Sequence, residues 1–220
     1  LEEELKEKEE IKKEEKERIF FSENETKIRD QITVKYHKSY YRGYKSFIWE
    51  EPKGKGEYVI GACIADGPEN KTSSFSIYKK NGFEQVLEYH NEDEISAEEF
   101  ASIIAEKARK YNTALVAVER NAHGVLVIDA LRKQENYYNL YSNKNKTGWL
   151  TNEISKYMML EEFDTAIRED KIEINNDTLL YELLSVMVDQ NGRISMKDRN
   201  RVIANTIAYQ MRKYVKRKDN

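Results

Sequence analysis

A chain of 220 residues has room for one α/β domain with attachments, or for two small domains. Hydrophobic residues make up 39% and charged residues 35%, but the charge is concentrated in particular segments, so an ordinary core remains available elsewhere. The single cysteine excludes an intramolecular disulfide framework and suits a reducing compartment. No apolar run approaches the ~18 residues of a membrane span. The N-terminal residues lack the apolar stretch of a secretory signal, which predicts a cytoplasmic protein with no membrane partner. The net charge of −3 hides an asymmetry. Residues 1–18 are dominated by Glu and Lys, whereas Arg212, Lys213, Lys216, Arg217 and Lys218 form a basic tail. Such a tail suits phosphate or an acidic partner, or is simply a solvated helix end.

Residues 2–18 read as a charged helix with a thin apolar stripe at Leu5, Ile11 and Ile19. An aromatic-rich segment follows, and Phe47 to Pro52 reads as an edge strand stopped by proline. A meander is predicted next, over Tyr58–Ala65, Ser73–Lys79 and Phe83–Tyr89, with Asn81-Gly82 as a two-residue hairpin turn. Ser96 to Glu99 is a capping box opening a helix to about Lys110. Asn112–Val118 reads as a strand, Ala122–Arg132 as a helix and Tyr138–Tyr141 as a short strand. Ser142–Leu150 is a basic loop or hairpin. Thr151 is placed as the cap of a helix to Arg168 and Asp177 as the cap of one to Val188. Asn191-Gly192 is a turn, and a last helix spans about Lys197 to Lys216. Antiparallel strands followed by βαβ units predict an α/β fold, a mixed sheet with helices on both faces.

The residue of most chemical interest is Glu119. Ala114 to Val118 is an apolar strand that delivers this carboxylate to its own tip, and His123-Gly124 then turns the chain into a helix. Ligands of open α/β sheets bind at that carboxyl edge. In the neighbouring strand, Tyr58–Ala65, Cys63 stands where a second acid would complete a metal site.

The element order resembles the ribonuclease H-like arrangement, in which the first and fourth of these strands lie side by side and a late helix adds a third acid. More specifically, Ile48 to Pro52, Tyr58 to Gly67, Tyr111 to Ala114, Glu119 to Gly124, Gly148 to Thr151 and Arg201 to Ala204 occur in the order seen in the nuclease domain of tailed-phage large terminase subunits. The resemblance covers roughly residues 47 to 210. It implies a charged helix and linker over 1–46, followed by a ribonuclease H-like nuclease-type domain over 47–220. It also implies metal-dependent hydrolysis of double-stranded DNA with Mg or Mn during viral DNA packaging, in a virus-infected or prophage-bearing host cell. The implied partners are a terminase ATPase domain, the small terminase subunit or the portal. No GxxxxGK[ST] phosphate loop occurs in the chain, so it lacks the motor by itself.

The chain departs from the family's acidic pattern. Cys63 stands at the position of an Asp, Lys71 at that of an acid in the following turn, and Arg199-Asn200 at a pair of Asp. Three accounts are open: a degenerate nuclease fold kept for binding DNA or a partner, a shifted ligand set of Asp66, Glu119 and Asp198, or an Asn200 altered from Asp. Cys63 reads as a small buried residue, and a pairing with His123 lacks a third orienting group. Lys144, Lys146 and Lys156, with Trp149, are the candidate DNA contacts, since a basic loop beside the active edge can follow phosphates. The penultimate helix leaves Asp189 and Glu182 within range of the site, though nothing in the spacing requires them there.

Overall fold

The computed structural model describes residues 20–21, 25–29, 41–43, 46–67, 71–121 and 123–214. The expected helix at 2–18, residues 22–24, 30–40 and 44–45 around and within the aromatic segment, and the end of the basic tail lie outside these residues. In chain order the strands and helices are β1 (Tyr41–Gly43), β2 (Ser46–Ile48), β3 (Tyr58–Cys63), β4 (Ser73–Lys79), β5 (Glu84–Asn91), α1 (Ala97–Lys110), β6 (Leu115–Val118), α2 (Gly124–Lys133), β7 (Ser142–Asn143), β8 (Lys146–Thr147), α3 (Glu153–Arg168), α4 (Asp177–Leu183), β9 (Met187–Val188), β10 (Ile194–Ser195) and α5 (Arg199–Met211).

Six strands form one sheet in the order β1-β2-β5-β4-β3-β6. All neighbours in it are antiparallel except β3 and β6, which run parallel with Ala62 beside Val118. Strand β3 is buried along its whole length. Its side chains alternate between two cores, as period-two geometry requires. Tyr58, Ile60 and Ala62 face α1 and α2, while Val59 and Cys63 face α3, α4 and α5. Phe20, Phe21 and Ile28 also enter the second core, so residues before position 47 contribute to it. Burying each large apolar side chain contributes about 1.5–3 kcal/mol.

Gly61 and Gly124 set the geometry that matters for the site. A Cβ on Gly61 would collide with the backbone of Ala204 and Ala208, so only glycine lets α5 lie directly on β3. A Cβ on Gly124 would strike the carbonyl of Glu119, so the turn after β6 also needs glycine.

Several expectations shift for physical reasons. The connection between β4 and β5 spans residues 80–83 rather than a two-residue turn. Phe83 is pulled into the core, where it stacks on Tyr78 at 4.9 Å and meets Tyr209 edge-on, and this burial overrides the tighter turn. The cap of α3 is Asn152, not Thr151: its side chain accepts from Ser155 N, and Ser155 reciprocates. The cap of α4 is Asn176, one residue before the expected Asp177. That helix ends at Leu183 because Met187 and Val188 pair with β10. The segment Tyr138–Tyr141 makes only an isolated bridge, Leu140 to Val116.

Candidate functional site

Three elements converge at the carboxyl end of β3 and β6. Cys63 ends β3, Glu119 follows β6, and Gly61 allows the N-terminus of α5 to bring Arg199 and Asn200 over them. The Glu119 backbone N–H donates to Ala62 O at 2.8 Å, which fixes the carboxylate beside Cys63. The predicted edge is therefore assembled, but its contents differ from a metal centre.

Glu119 is buried, and Arg199 grips it with two hydrogen bonds, Nη1 to Oε2 at 3.0 Å and Nη2 to Oε1 at 2.7 Å. Bidentate guanidinium–carboxylate pairs are among the strong charge-assisted contacts. Burial disfavours the Arg199 charge, but the Glu119 hydrogen bonds and charge outweigh it and hold the guanidinium firmly protonated. Asn200 is buried beside them. Its amide N–H groups donate to Thr72 O at 2.7 Å and Ile64 O at 3.2 Å, and its oxygen accepts from Arg199 Nη1 at 2.8 Å. A carboxylate at that position would face two carbonyl oxygens. Burial, then the Glu119 charge, pushes the Cys63 thiol well up, so it stays protonated and is no thiolate ligand or nucleophile at neutral pH. The ring of His123 contacts Ala65 O through Nδ1 at 3.0 Å and is not paired with Cys63.

The shifted set of oxygen ligands does not come together. Asp198 is the N-cap of α5: it accepts from Arg201 N at 3.0 Å and from Thr72 Oγ1 at 2.9 Å, and lies 3.5 Å from His90. Both hydrogen bonds fall on Oδ1, and Oδ2 faces His90. Asp66, half-buried just past β3, acts electrostatically on Cys63 and Arg199. Lys71 is exposed just before β4. Among the described residues no three His, Cys, Asp or Glu side chains gather where they could hold a metal ion. A divalent ion of the Mg or Mn type needs several oxygen donors. One carboxylate already clamped by a guanidinium, a protonated thiol and an amide turned nitrogen-first do not supply them. The residues present do not fit such an ion.

The DNA-contact candidates divide. Lys144 and Lys146 lie on the β7–β8 hairpin and, with Trp149, line one surface recess of about 460 Å³. Lys156 does not line it; its ammonium pairs with Glu153 at 3.0 Å. In the basic tail, Arg212 and Lys213 are both tied to Glu162.

A second charged group was not legible in the sequence. Arg201 is buried between Glu88 at 2.9 Å and Glu182, close to Asp198 and His90. Burial, against the opposing Arg201 charge, raises Glu88 and lifts Glu182 to about 8, while burial and Arg201 press His90 down to about 4. Glu182 thus serves this internal network rather than the edge, and Asp189 closes the β9–β10 turn by accepting from Arg193 N and Asn191 N. The available signal was Glu88 inside a strand of buried residues.

A mixed sheet with β3 and β6 side by side, and a late helix over their ends, defines the ribonuclease H-like class. Residues 54–212 match the family model described as Terminase RNaseH-like domain, and the chain belongs to that family. Solved structures agree on the fold. The large terminase nuclease of thermophilic phage G20c with bound magnesium superposes with a TM-score of 0.66 at 15% identity, over 83% of this chain and 96% of that one. The same nuclease with bound cobalt gives 0.62 at 18% identity, over 78% and 89%. The large terminase nuclease domain of Thermus phage P74-26 gives 0.62 at 15% identity, over 84% and 94%. Among curated protein sequences, none matches the chain.

Proposed function

We propose that this chain is a catalytically silent terminase nuclease-type domain, retained in viral DNA packaging to hold double-stranded DNA rather than to cut it. The observation carrying this reading is the bidentate Arg199–Glu119 pair, which gives the remaining family acid an internal cation. The relatives from phage G20c bind magnesium and cobalt; in this chain the same edge carries Cys63, Arg199 and Asn200. Hydrolysis with Mg or Mn would require Glu119 to release a guanidinium and gain donors that the neighbouring positions lack. DNA contact falls to Lys144 and Lys146 on the hairpin beside the edge, and the packaging partners would be the motor domain, small subunit or portal of the same machine.

The test is plasmid DNA incubated with Mn²⁺ or Mg²⁺, comparing the wild type with Glu119→Ala, alongside duplex binding measured by mobility shift. The expected result is no cleavage attributable to the protein, with salt-sensitive binding that the Lys144→Ala/Lys146→Ala double variant weakens. Metal-dependent cleavage that Glu119→Ala abolishes would overturn the proposal.

A further inference from the structure

The recess next to Glu119 has the chemistry of a nucleotide site. Its walls include the rings of Tyr141, Trp149 and Tyr214 and the cations of Arg120, Lys144 and Lys146. Tyr141 links the other two rings, with centroids 5.6 Å from Trp149 and 4.8 Å from Tyr214. Among the described residues Arg120, Lys144 and Lys146 form no ion pair, whereas Lys156, Arg199 and Arg201 are each bound to carboxylates. Unneutralised cations around an aromatic surface match a ligand that carries a phosphate and a flat ring together. A volume of about 460 Å³ lies within the roughly 300–1,000 Å³ typical of small-ligand sites.

The recess is also built onto the candidate edge. Arg120 N donates to Trp149 O and Trp149 N to Val118 O, both at 2.8 Å, so one end of β6 carries Glu119 and the recess side by side. Base faces inside a duplex are stacked and inaccessible to a concave aromatic wall, so only an unpaired nucleotide can offer its ring there. We infer that this recess binds an unpaired nucleotide at a DNA end, with the base against Trp149 and Tyr214, which the buried Tyr141 ring backs, and the phosphate held by Arg120, Lys144 and Lys146. The inference rests on the reading of the domain as a DNA-holding module and specifies which part of the DNA it holds.

Fluorescence anisotropy tests it with two probes, a short blunt duplex and the same duplex with a short thymidine overhang, each challenged with polyglutamate or with oligothymidylate as competitor. The overhang duplex is expected to bind about tenfold tighter than the blunt one, the scale of one base–aromatic stack. Tyr214, 47% exposed, is removable without opening the core. Tyr214→Ala should erase the overhang preference while leaving blunt binding in place, and Tyr214→Phe should keep it. Unfolding midpoints of both variants check that the fold is intact. Equal affinity for blunt and overhang duplexes would overturn the inference and leave the DNA-holding reading standing. Polyglutamate competing as well as oligothymidylate would overturn it too, by showing that charge alone is read. No DNA binding of any kind would overturn both readings.

Discussion

Arg199 and Glu119 lie 80 positions apart and meet through two hydrogen bonds that join the start of α5 to the end of β6. The pair sits largely out of water, with Glu119 side-chain exposure at 5%. Removing the cation strands a buried carboxylate. Arg199→Ala should therefore destabilise the domain by about 3 kcal/mol, while Glu119→Leu/Arg199→Met, which removes both charges, should recover most of that loss. Urea unfolding of the single and double variants measures the difference.

Metal affinity should be recoverable by substitution. Cys63→Asp, Arg199→Asp and Asn200→Asp together place carboxylates around Glu119. The triple variant is expected to bind Mn²⁺ in calorimetry and to gain unfolding temperature with it, as a ligand specific to the folded state requires. Wild-type protein should show neither response. Asn200→Asp alone sets a carboxylate against Thr72 O and Ile64 O and should cost about 2 kcal/mol.

The buried Arg201 network predicts a pH dependence of stability. Folded Glu182 keeps its proton up to about pH 8 against an ordinary value of 4.5, so its stabilisation is complete below 4.5 and lost as pH rises through 8. His90 works in the opposite direction. Its folded value of about 4 lies below 6.5, so its contribution is present above 6.5 and lost as pH falls through 4. Between pH 6.5 and 8 the Glu182 slope acts without that of His90. Wild-type stability should fall across this window, by at most about 1.4 kcal/mol per pH unit for one proton, and Glu182→Gln should flatten the fall. Urea midpoints at several pH values supply the comparison.

Gly61→Ala should be among the most damaging single changes, because the new methyl meets helix backbone rather than a movable side chain. Either α5 lifts from β3 or the strand shifts. The expected cost is about 3 kcal/mol, read as a lowered unfolding midpoint.

Replacing Lys144 and Lys146 by Ala should weaken duplex binding evenly across DNA sequences. Each phosphate contact contributes roughly 0.9 to the slope of log affinity against log salt, so the double variant should lower that slope by about 1.8. Lys156→Ala, whose ammonium is already paired with Glu153, should leave the slope unchanged.

Local patterns carried the frame. Alternation and turn residues located β4 to the residue and β3 and β5 to within two, and β3 and β6 lie together as the ribonuclease H-like resemblance implied. Ser96 caps α1 as expected because N-capping is decided within three residues, and its side chain accepts from Glu99 N. The caps of α3 and α4 were missed by one position, since Thr151-Asn152 and Asn176-Asp177 each offer two competent residues and only the chain's entry angle chooses. What a local pattern cannot carry is a partner far along the chain. Arg199 reads as a positive charge at a lost acidic position, but its grip on Glu119 depends on α5 lying on β3. Arg201 entered the sequence reading only as the start of the Arg201 to Ala204 stretch, and its burial shows once Glu88 and Glu182 close around it. The recess likewise draws Arg120, Tyr141 and Tyr214 from separated stretches, and only its hairpin and Trp149 were visible in advance.

A cutting centre of several acids is a knot of mutual repulsion until an ion arrives from solution, so its architecture depends on what the surrounding medium supplies. In this chain the neutralising charge is tethered to the first turn of α5 and arrives with the polypeptide itself. Folding of the edge is thereby uncoupled from divalent-ion supply, and chelators should leave the domain as stable as before.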